Sequence, residues 1–336
     1  MADMLLSVND LRVSFLTYAG EVQAVRGVSF DLKKGETLGI VGESGCGKSV
    51  TAQTIMKLNP APPSVIKSGS ILLDGEDIVP MSEREMQRIR GAQVSMIFQD
   101  PMTCLNPTMT IGKQIAESII LHQKVDKKTA HQRAIDLLDL VRIPNAAVRA
   151  KQYPHQFSGG MRQRAMIAMG LACNPKLLIA DEPTTALDVT IQAQILDLMK
   201  DLKEKTNCSI IVITHDLGIV ASMSDRVAVM YAGKIIEIGD ADEVFYRPRH
   251  PYTWGLLDSR PRVDHARDQK LVPIEGMPPD LLLPPAGCPF AARCAYCMKV
   301  CRTTMPPDVS VGEDHLVACW LTHEKAPKVV RGGAKE

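Results

Sequence analysis

The sequence has no long apolar run, since no stretch approaches the 18 or more consecutive apolar residues of a membrane-spanning helix. Its first residues, Met1 to Met4, carry neither the basic region nor the apolar core of a secretory signal. An excess of one charge is also missing, because 39 basic and 38 acidic residues leave a net charge near +1. This balance gives no electrostatic case for a nucleic-acid partner. We therefore expect a cytosolic protein that touches a membrane only through partner proteins.

The rest of the composition is that of a globular protein, with 45% hydrophobic and 23% charged residues. A chain of 336 residues has room for one large domain or two ordinary ones around a substantial core. Nine cysteines in a cytosolic chain favour free thiols or metal ligands over a disulfide framework. Five of them fall in the last fifth of the chain, at Cys288, Cys294, Cys297, Cys301 and Cys319.

Short apolar runs that alternate with helical patterns predict an α/β fold with a largely parallel sheet covered on both faces. Strands are expected at 37–41, 71–73, 94–98, 176–180 and 210–213, the last two buried, and helices at 82–90, 110–122, 128–141 and 191–205. Alternating segments at 5–16 and 22–32 predict antiparallel strands, and 226–230 with 234–238 predict a hairpin. Prolines interrupt the pattern at 59–69 and again beyond Arg247. We expect one domain over residues 1–255 and an irregular Cys/Pro-rich extension over 256–336.

The motif around which the chain is organised is G-x-x-x-x-G-K-[ST], placed between an apolar strand and the start of a helix. Its residues are Gly42, Glu43, Ser44, Gly45, Cys46, Gly47, Lys48 and Ser49, followed by Val50. Glycines let successive backbone N–H groups turn toward a phosphate, and a helix N-terminus adds favourable partial charge. Lys48 can reach the β- and γ-phosphates, and the Ser49 hydroxyl can bind Mg²⁺. The motif predicts an ATP-type triphosphate site, and its strand–loop–helix context disfavours an incidental glycine-rich turn.

Two acidic residues, Asp181 and Glu182, directly follow an apolar run. An aspartate at the end of a buried strand can hold Mg²⁺, usually through water, opposite Ser49. Glu182 is placed to orient and polarise an attacking water as a general base. Two acids after a strand could instead cap the next helix, but their pairing with a phosphate-binding loop favours the catalytic interpretation.

Four further motifs surround the phosphate-binding loop in a fixed order. They are Phe98-Gln99-Asp100-Pro101, the run 157–164 (FSGGMRQR), Ala186-Leu187-Asp188 and Ile213-Thr214-His215-Asp216. In this order and spacing the chain resembles the nucleotide-binding subunit of ABC transporters, from residue 5 to about 250. The resemblance implies an ABC-type P-loop NTPase fold with an antiparallel β subdomain and an inserted helical subdomain at about 103–172.

The resemblance also implies a second phosphate-binding device at Ser158, Gly159 and Gly160, which would complete the site of a facing subunit. ATP would then be sandwiched between two ATPase chains. The usual family signature is Leu-Ser-Gly-Gly-Gln, whereas this chain carries Phe157 and Met161 at the outer positions. Because the three phosphate-facing residues are intact, we expect an active site, with altered contacts to the opposite subunit at Met161.

Other residues take roles from the same resemblance. Gln99 is expected to touch Mg²⁺ and water and to sense the γ-phosphate, and His215 to contact the γ-phosphate in the transition state. Asp188 is expected to link the two sites. From the residues alone, Tyr18 either stacks on adenine or is a plain hairpin aromatic. Cys46 lies in the loop at a helix N-terminus, where the pKa of a thiol tends to fall, so we expect thiol reagents to inhibit and ATP to protect.

The tail carries a separate resemblance. Residues 249–253 (RHPYT) and 287–294 (GCPFAARC) resemble the C-terminal extension of oligopeptide and dipeptide importers, a class that includes some nickel importers. This implies a [4Fe–4S] cluster held by Cys288, Cys294, Cys301 and Cys319, since four thiolates are its usual ligands. Cys297 creates an additional C-x-x-C pair that would also suit zinc, and reduced thiols are the third alternative.

Together these resemblances imply an ATP-hydrolysing subunit that powers dipeptide or oligopeptide import. The implied partners are a second ABC ATPase subunit, two transmembrane permease subunits that contact the helical insertion, and an extracytoplasmic peptide-binding protein. The chain would lie at the cytoplasmic face of the cell membrane, held there by the permeases. The alternatives are a nickel or other small-solute importer, an exporter subunit, and a soluble ABC ATPase of DNA repair or translation. The neutral charge and the importer-like tail count against the last.

Overall fold

The computed structural model describes residues 3–185, 188–259 and 273–331. Its strands are β1 (Met4–Thr17), β2 (Gly20–Lys33), β3 (Thr37–Val41), β4 (Ser64–Leu73), β5 (Glu76–Asp77), β6 (Val94–Ile97), β7 (Leu177–Asp181), β8 (Ser209–Thr214), β9 (Arg226–Tyr231), β10 (Lys234–Asp240), β11 (Val309–Gly312) and β12 (His315–Val317).

Its helices are α1 (Lys48–Ile55), α2 (Glu83–Ile89), α3 (Pro101–Cys104), α4 (Ile111–Gln123), α5 (Lys127–Leu140), α6 (Ala146–Arg149), α7 (Gly159–Gly170), α8 (Val189–Thr206), α9 (Leu217–Met223), α10 (Ala241–Tyr246), α11 (Pro251–Asp258) and α12 (Lys299–Thr303), with 3₁₀ turns at Pro154–Gln156 and Trp320–Thr322. None of these helices is long and apolar enough to cross a membrane.

The central sheet has the strand order β11-β12-β10-β9-β3-β8-β7-β6. Strands β9, β3, β8, β7 and β6 run parallel to one another, which confirms the predicted mostly parallel core. Every residue of β3, β7 and β8 is buried, because both faces of this sheet are covered. Since parallel strands end at the same edge, the loops that follow β3, β6, β7 and β8 gather there.

Strand β8 shows how the two faces differ. Ile210 and Val212 pack into the cluster formed with the helical region, whereas Ile211 and Ile213 pack into the cluster formed with the antiparallel β layer. Successive side chains of a strand point to opposite faces, so a continuous apolar run is needed to cover both. The central sheet is therefore the shared core of both layers.

The antiparallel β subdomain is a separate four-stranded sheet in the order β2-β1-β4-β5. It confirms the strands expected at 5–16 and 22–32. Strand β4 contains the strand expected at 71–73 but begins earlier, at Ser64, within the region 59–69 where the prolines predicted an interruption. Its first half is short of apolar residues, and its pairing with β1, starting at Phe15 opposite Ser64, supplies the backbone hydrogen bonds instead.

The helical insertion is held by two facing helices. Ile111, Ile115 and Ile119 recur every four residues on α4, and Ala130, Ala134 and Leu138 do so on α5, all fully buried in one cluster. This four-residue spacing places each set on one helix face. Both helices predicted for this region are confirmed. Helix α2 begins with a capping box, in which Ser82 accepts from the Glu85 N–H and the Glu85 carboxylate accepts from the Ser82 N–H.

The cysteine-bearing extension is joined to the core. Strand β12 pairs antiparallel with β10, Glu237 lying opposite Val317, and so lengthens the central sheet. Cys288, Phe290 and Cys301 share a buried cluster with residues of β9. Helix α11 runs continuously across residues 255 and 256, and residues 260–272 lie outside the described part of the chain. The domain boundary at 255/256 stays a prediction.

Candidate functional site

The loop between β3 and α1 favours glycine at three positions, each with positive φ. Gly42 has φ of 153°, and a Cβ there would lie 2.1 Å from the carbonyl oxygen of Met230. Gly47 has φ of 102°, and a Cβ there would lie 2.5 Å from the carbonyl oxygen of Ala24. Gly45 has φ of 77°, which also favours glycine, but a Cβ there would meet nothing within 4 Å, so the tip of the loop faces open space. The loop has the compact shape, open on one side, that a phosphate site needs.

Lys48 and Ser49 follow this loop at the start of α1. The Lys48 Nζ donates to the carbonyl oxygens of Gly42 (2.7 Å) and Glu43 (2.9 Å), which holds the ammonium group under the loop. The Ser49 hydroxyl donates to Oδ1 of Asp181 at 2.9 Å. The sequence prediction paired these two residues, and the parallel sheet brings them together from 132 positions apart.

Asp181 lies at the end of β7 and is 4% exposed. Burial raises the pKa of its carboxyl group, and the hydrogen bond from Ser49 opposes this only in part. A serine hydroxyl beside an aspartate carboxylate offers the oxygen ligands that Mg²⁺ prefers. The donor set therefore fits the predicted magnesium site.

Glu182 is the point where three predicted motifs meet. Gln99 donates from Nε2 to Oε2 of Glu182 at 3.1 Å, and Nδ1 of His215 lies 3.2 Å from Oε1. The Thr185 hydroxyl donates to Oε2 at 2.8 Å. Glu182 has φ of 48°, a left-handed conformation that is uncommon for glutamate. All three residues predicted to be catalytic are within one hydrogen-bonded group.

Electrostatics keep this carboxylate charged. Burial pushes the pKa of Glu182 upward, but hydrogen bonds from Thr185 and His215, with the charges of His215 and Lys48, outweigh burial and lower it. Glu182 is thus ionised at neutral pH and can only accept hydrogen bonds. The side chain of His215 is 62% exposed, so the group lies at the protein surface. An ionised, oriented carboxylate at an open site can hold and polarise a water molecule.

The residues of the predicted second half-site stand at the N-terminus of α7. Ser158 caps the helix by accepting from the Met161 N–H at 3.4 Å, and Ser158 and Gly159 are exposed. Gly160 packs tightly, since a Cβ there would lie 2.9 Å from the side chain of Ile191. The helix end is open to solvent, and within the described residues no hydrogen bond joins it to the phosphate-binding loop.

Two more predicted site residues lie at element ends. Asp188 caps α8 by accepting from the Ile191 N–H at 2.9 Å, while Ala186 and Leu187 lie outside the described residues. Tyr18 is fully exposed in the turn between β1 and β2. Its stacking on adenine and the linking role of Asp188 stay predictions.

The expectation of a lowered pKa for Cys46 is wrong. This thiol is only 5% exposed, and burial raises its pKa even though the charge of Lys48 opposes the change. The helix end was visible in the sequence, whereas the covering by neighbouring chain depends on tertiary packing. Ser44, by contrast, is exposed at the tip of the loop, and Val50 is half-buried on α1.

Two family models match the chain: the ABC transporter model over residues 25–185 and the oligopeptide/dipeptide transporter C-terminal region over residues 236–301. The oligopeptide transport ATP-binding protein OppD of Bacillus subtilis (strain 168) is 62% identical over 325 residues, covering 97% of this chain and 91% of that protein. The chain belongs to the oligopeptide/dipeptide branch of the ABC transporter family. It is an ABC ATPase.

Other relatives of this ABC ATPase are also dipeptide or oligopeptide transport ATP-binding proteins. The dipeptide transport ATP-binding protein DppD of Bacillus subtilis (strain 168) is 58% identical, with 98% of both chains covered. OppD of Salmonella typhimurium is 52% identical, with 96% of both covered. Among solved structures, the ATP-binding cassette MJ0796, a dimer in a post-hydrolysis state bound to ADP and Pi, matches with a TM-score of 0.64 at 25% identity. It covers 70% of this chain and 99% of that chain. The predicted ABC fold is confirmed.

The cysteines of the ABC ATPase extension are buried or half-buried and close together. Burial raises the pKa of Cys288 to about 11 and that of Cys294 and Cys319 to about 12, and neighbouring thiolate charges add to each shift. The Cys288 N–H donates to the carbonyl oxygen of Cys301 at 2.8 Å. Four thiols match the ligands of a [4Fe–4S] cluster in kind. Over the described residues, however, no group of His, Cys, Asp or Glu side chains is arranged to hold a metal ion.

Sequence reasoning missed two residues that contact the nucleotide loop. Arg293, from the extension, donates to both carboxylate oxygens of Glu43, at 2.6 and 2.9 Å. The Glu43 N–H donates to the hydroxyl of Tyr252 at 2.9 Å. Both residues fall inside the runs that resemble peptide-importer tails, which was the available signal. Nothing in the local sequence indicates a partner 250 positions away.

Proposed function

We propose that this chain is the ATP-hydrolysing subunit of an importer that carries dipeptides or oligopeptides across the cytoplasmic membrane. The observation that supports it most is the meeting of Gln99, Glu182 and His215 beside the Ser49–Asp181 pair at one edge of the sheet. Phosphoryl transfer asks mainly for positioning and charge stabilisation, and this edge provides charged and polar groups for both.

The loop and Lys48 would bind the triphosphate. The backbone N–H groups around Gly45 and Gly47 and the N-terminus of α1 would bind the β- and γ-phosphate oxygens. Lys48, now held by loop carbonyls, would donate to the same phosphates. Ser49 and Asp181 would hold Mg²⁺, which supplies positive charge to the phosphates when bound.

Glu182 would act as the general base in ATP hydrolysis. Its ionised carboxylate would accept a hydrogen bond from a water and aim that water at the γ-phosphorus. The water oxygen would bond to the γ-phosphorus, the bond from the γ-phosphorus to the bridging oxygen would break, and the proton of the water would pass by way of Glu182 to the phosphate, leaving ADP and inorganic phosphate. Gln99 and Thr185 donate to Oε2 of Glu182, which fixes the plane of the carboxylate. His215, at Oε1, would reach the γ-phosphate from the solvent side.

A second ATPase subunit would complete the site. The exposed helix end at Ser158, Gly159 and Gly160 offers N–H groups and a hydroxyl to a phosphate of the facing chain. Asp188 would connect the two sites. The companion is a related chain or a second copy of this one. ATP bound between the two would draw them together, and release of the products would let them part.

The remaining partners follow from the family. Two transmembrane permease subunits would contact the helical insertion at about 103–172 and hold the chain at the cytoplasmic face of the membrane. An extracytoplasmic binding protein would deliver peptide. No nucleic-acid partner is proposed. Peptide cargo is favoured by the match to the oligopeptide/dipeptide transporter C-terminal region. Nickel or another small solute is the second candidate, because the class that the tail resembles includes some nickel importers.

The experiment is reconstitution of the complex. The chain would be co-expressed with the products of neighbouring reading frames, purified and placed in lipid vesicles with the binding protein. We expect ATP-dependent uptake of labelled di- or oligopeptides, lost in Glu182→Gln. Uptake of nickel but not peptide would reassign the cargo, and co-purification with ribosomes or DNA instead of permeases would contradict transport.

We also propose that Cys288, Cys294, Cys301 and Cys319 hold a [4Fe–4S] cluster, which would cross-link an extension of little regular structure. Support comes from the kind of ligand that four thiols offer, and not from their arrangement, because the described residues include no group of side chains placed to hold a metal ion. Iron and sulfide analysis of anaerobically purified protein is the test. About four iron atoms per chain, lost in Cys294→Ser but kept in Cys297→Ser, are expected. One zinc, or no metal, would overturn the proposal.

A further inference from the structure

A charge pair joins the extension to the phosphate-binding loop. Glu43 is the second residue of the loop, and its carboxylate accepts two parallel hydrogen bonds from the guanidinium of Arg293. The Arg293 side chain is 4% exposed and that of Glu43 is 26% exposed, so this pair is largely shielded from water. A two-bond fork between arginine and carboxylate fixes orientation as well as charge.

Arg293 is itself held in place. Its Nε donates to the carbonyl oxygen of Glu275 at 2.9 Å and its Nη2 to that of Ile274 at 3.1 Å. Its Nη1 also donates to the hydroxyl of Tyr231 at 3.2 Å. The guanidinium carbon lies 5.8 Å from the ring centres of Tyr231 and Phe290. The fork is therefore preorganised before it meets Glu43.

Glu43 is fixed at its backbone too. Its N–H donates to the hydroxyl of Tyr252, a fully buried residue of α11. The carbonyl of Glu43 accepts from Lys48. Every polar group of Glu43 thus has a partner, and the side-chain partner comes from the extension. The shape of the loop at this residue depends on chain 250 positions away.

The placement of a carboxylate here needs an explanation. A loop whose task is to hold a polyanion carries a negative charge at Glu43, next to N–H groups that would bind phosphate. An unpaired carboxylate would repel the triphosphate, more strongly than in water because the site is partly shielded. Arg293 cancels this charge at hydrogen-bonding distance.

We propose that Arg293 is a positioning residue of the nucleotide site, which neutralises Glu43 and holds the phosphate-binding loop in its ATP-accepting shape. The inference rests on the proposed function, namely that this loop binds ATP. It gives the extension a direct part in nucleotide affinity. Arg293 touches no reacting atom in this scheme, so it affects binding rather than the chemical step.

The test measures MgATP binding and hydrolysis by the full-length chain together with its companion subunit. Arg293→Ala is expected to weaken ATP binding by about tenfold or more, raising KM while kcat stays within about twofold. Arg293→Lys keeps the charge but loses the fork, so an intermediate loss of about threefold is expected. Arg302→Ala, at an exposed arginine of the same extension, is the matched control and should bind ATP as the parent does.

The double variant Glu43→Gln with Arg293→Ala separates charge neutralisation from general support of the fold. Removing the carboxylate as well should restore most of the lost affinity, because the repulsion has gone with its source. A purely structural role predicts no such rescue. Unchanged affinity in Arg293→Ala, or a double variant at least as weak as the single one, would overturn the inference. If Arg293→Ala does not fold, Arg293→Lys takes its place in both measurements. ATP affinity should then fall in Arg293→Lys and recover when Glu43→Gln is added.

Lys48→Ala keeps this outcome distinct from failure of the proposed function. If Lys48→Ala binds ATP normally, the loop is not the nucleotide site and the proposed function fails. If Lys48→Ala loses ATP binding while Arg293→Ala keeps it, only the inference about Arg293 is contradicted and the proposed function stands.

Discussion

The buried carboxylate of Glu237 offers a sharp test of how the extension is attached. Glu237 lies on β10, is 0% exposed and accepts hydrogen bonds from the N–H groups of Arg249 (2.6 Å) and His250 (3.1 Å). It also accepts from the hydroxyl of Thr253 and from Nε2 of His315, the latter at 2.9 Å. One carboxylate thus joins a core strand, the segment leading into α11, and strand β12 of the extension.

Glu237→Ala would leave four donors without their acceptor, three of them on buried residues. A hydrogen bond to a charged group contributes about 1.5–3 kcal/mol, but such values do not add within one network. Leaving a buried donor without an acceptor costs about 1–3 kcal/mol, and because several donors lose their acceptor at once we expect the free energy of unfolding to fall by about 3 kcal/mol or more. Glu237→Gln should lower the free energy of unfolding by less, about 2 kcal/mol, because the amide oxygen still accepts hydrogen bonds. Some loss remains because the amide NH₂ group faces donors that it cannot accept from.

Urea unfolding followed by circular dichroism measures the change. The control is Glu313→Ala, at an exposed glutamate in the turn between β11 and β12, which should shift stability by no more than about 0.5 kcal/mol. A loss below about 1 kcal/mol in Glu237→Ala would refute the reasoning, because it would mean that the four donors find other partners at no cost.

Three further predictions concern single side chains. Burial lowers the pKa of His250 to about 4 from its ordinary 6.5, so the unfolded chain binds the proton first. Stability should therefore fall by up to about 3 kcal/mol as pH drops from 6.5 to 4. His250→Asn, which keeps an acceptor for the Tyr252 N–H, should flatten this pH dependence in thermal melts. Maleimide should inhibit ATPase activity slowly through the buried Cys46, with protection by ATP, and inhibition as strong in Cys46→Ser would contradict this. Ile211→Ala, at a fully buried position of β8, should destabilise the protein by about 2–5 kcal/mol in the same urea assay, and a loss under 1 kcal/mol would argue against its central packing.

The parallel core was predictable because its physics is local. Strands β3, β7 and β8 are covered on both faces and therefore read as continuous apolar runs. The carboxyl ends of these parallel strands share one edge of the sheet, so the motif residues at those ends, such as Asp181 and Glu182 at the end of β7, were expected at that edge. The start of β4 at Ser64 could not be predicted, because a polar segment next to prolines becomes a strand only through pairing with β1.

Contacts between distant parts of the chain could not be predicted from the sequence. The fork from Arg293 to Glu43 and the bond from the Glu43 N–H to the hydroxyl of Tyr252 depend on tertiary packing that no local pattern encodes. The pKa of Cys46 shows the same limit in another form. A helix N-terminus alone would lower it, yet burial by neighbouring chain is the larger effect and raises it.

The central claim is that this chain carries two half-sites for ATP which close only against a companion subunit. Its most direct test is the association of the Glu182→Gln variant with its companion, measured by sedimentation with and without MgATP. Because the substitution removes the carboxylate that would orient water, ATP should bind without being hydrolysed. We predict a stable pair holding two ATP molecules, formed with MgATP and absent with MgADP. A variant that binds ATP yet never pairs in its presence would contradict the account.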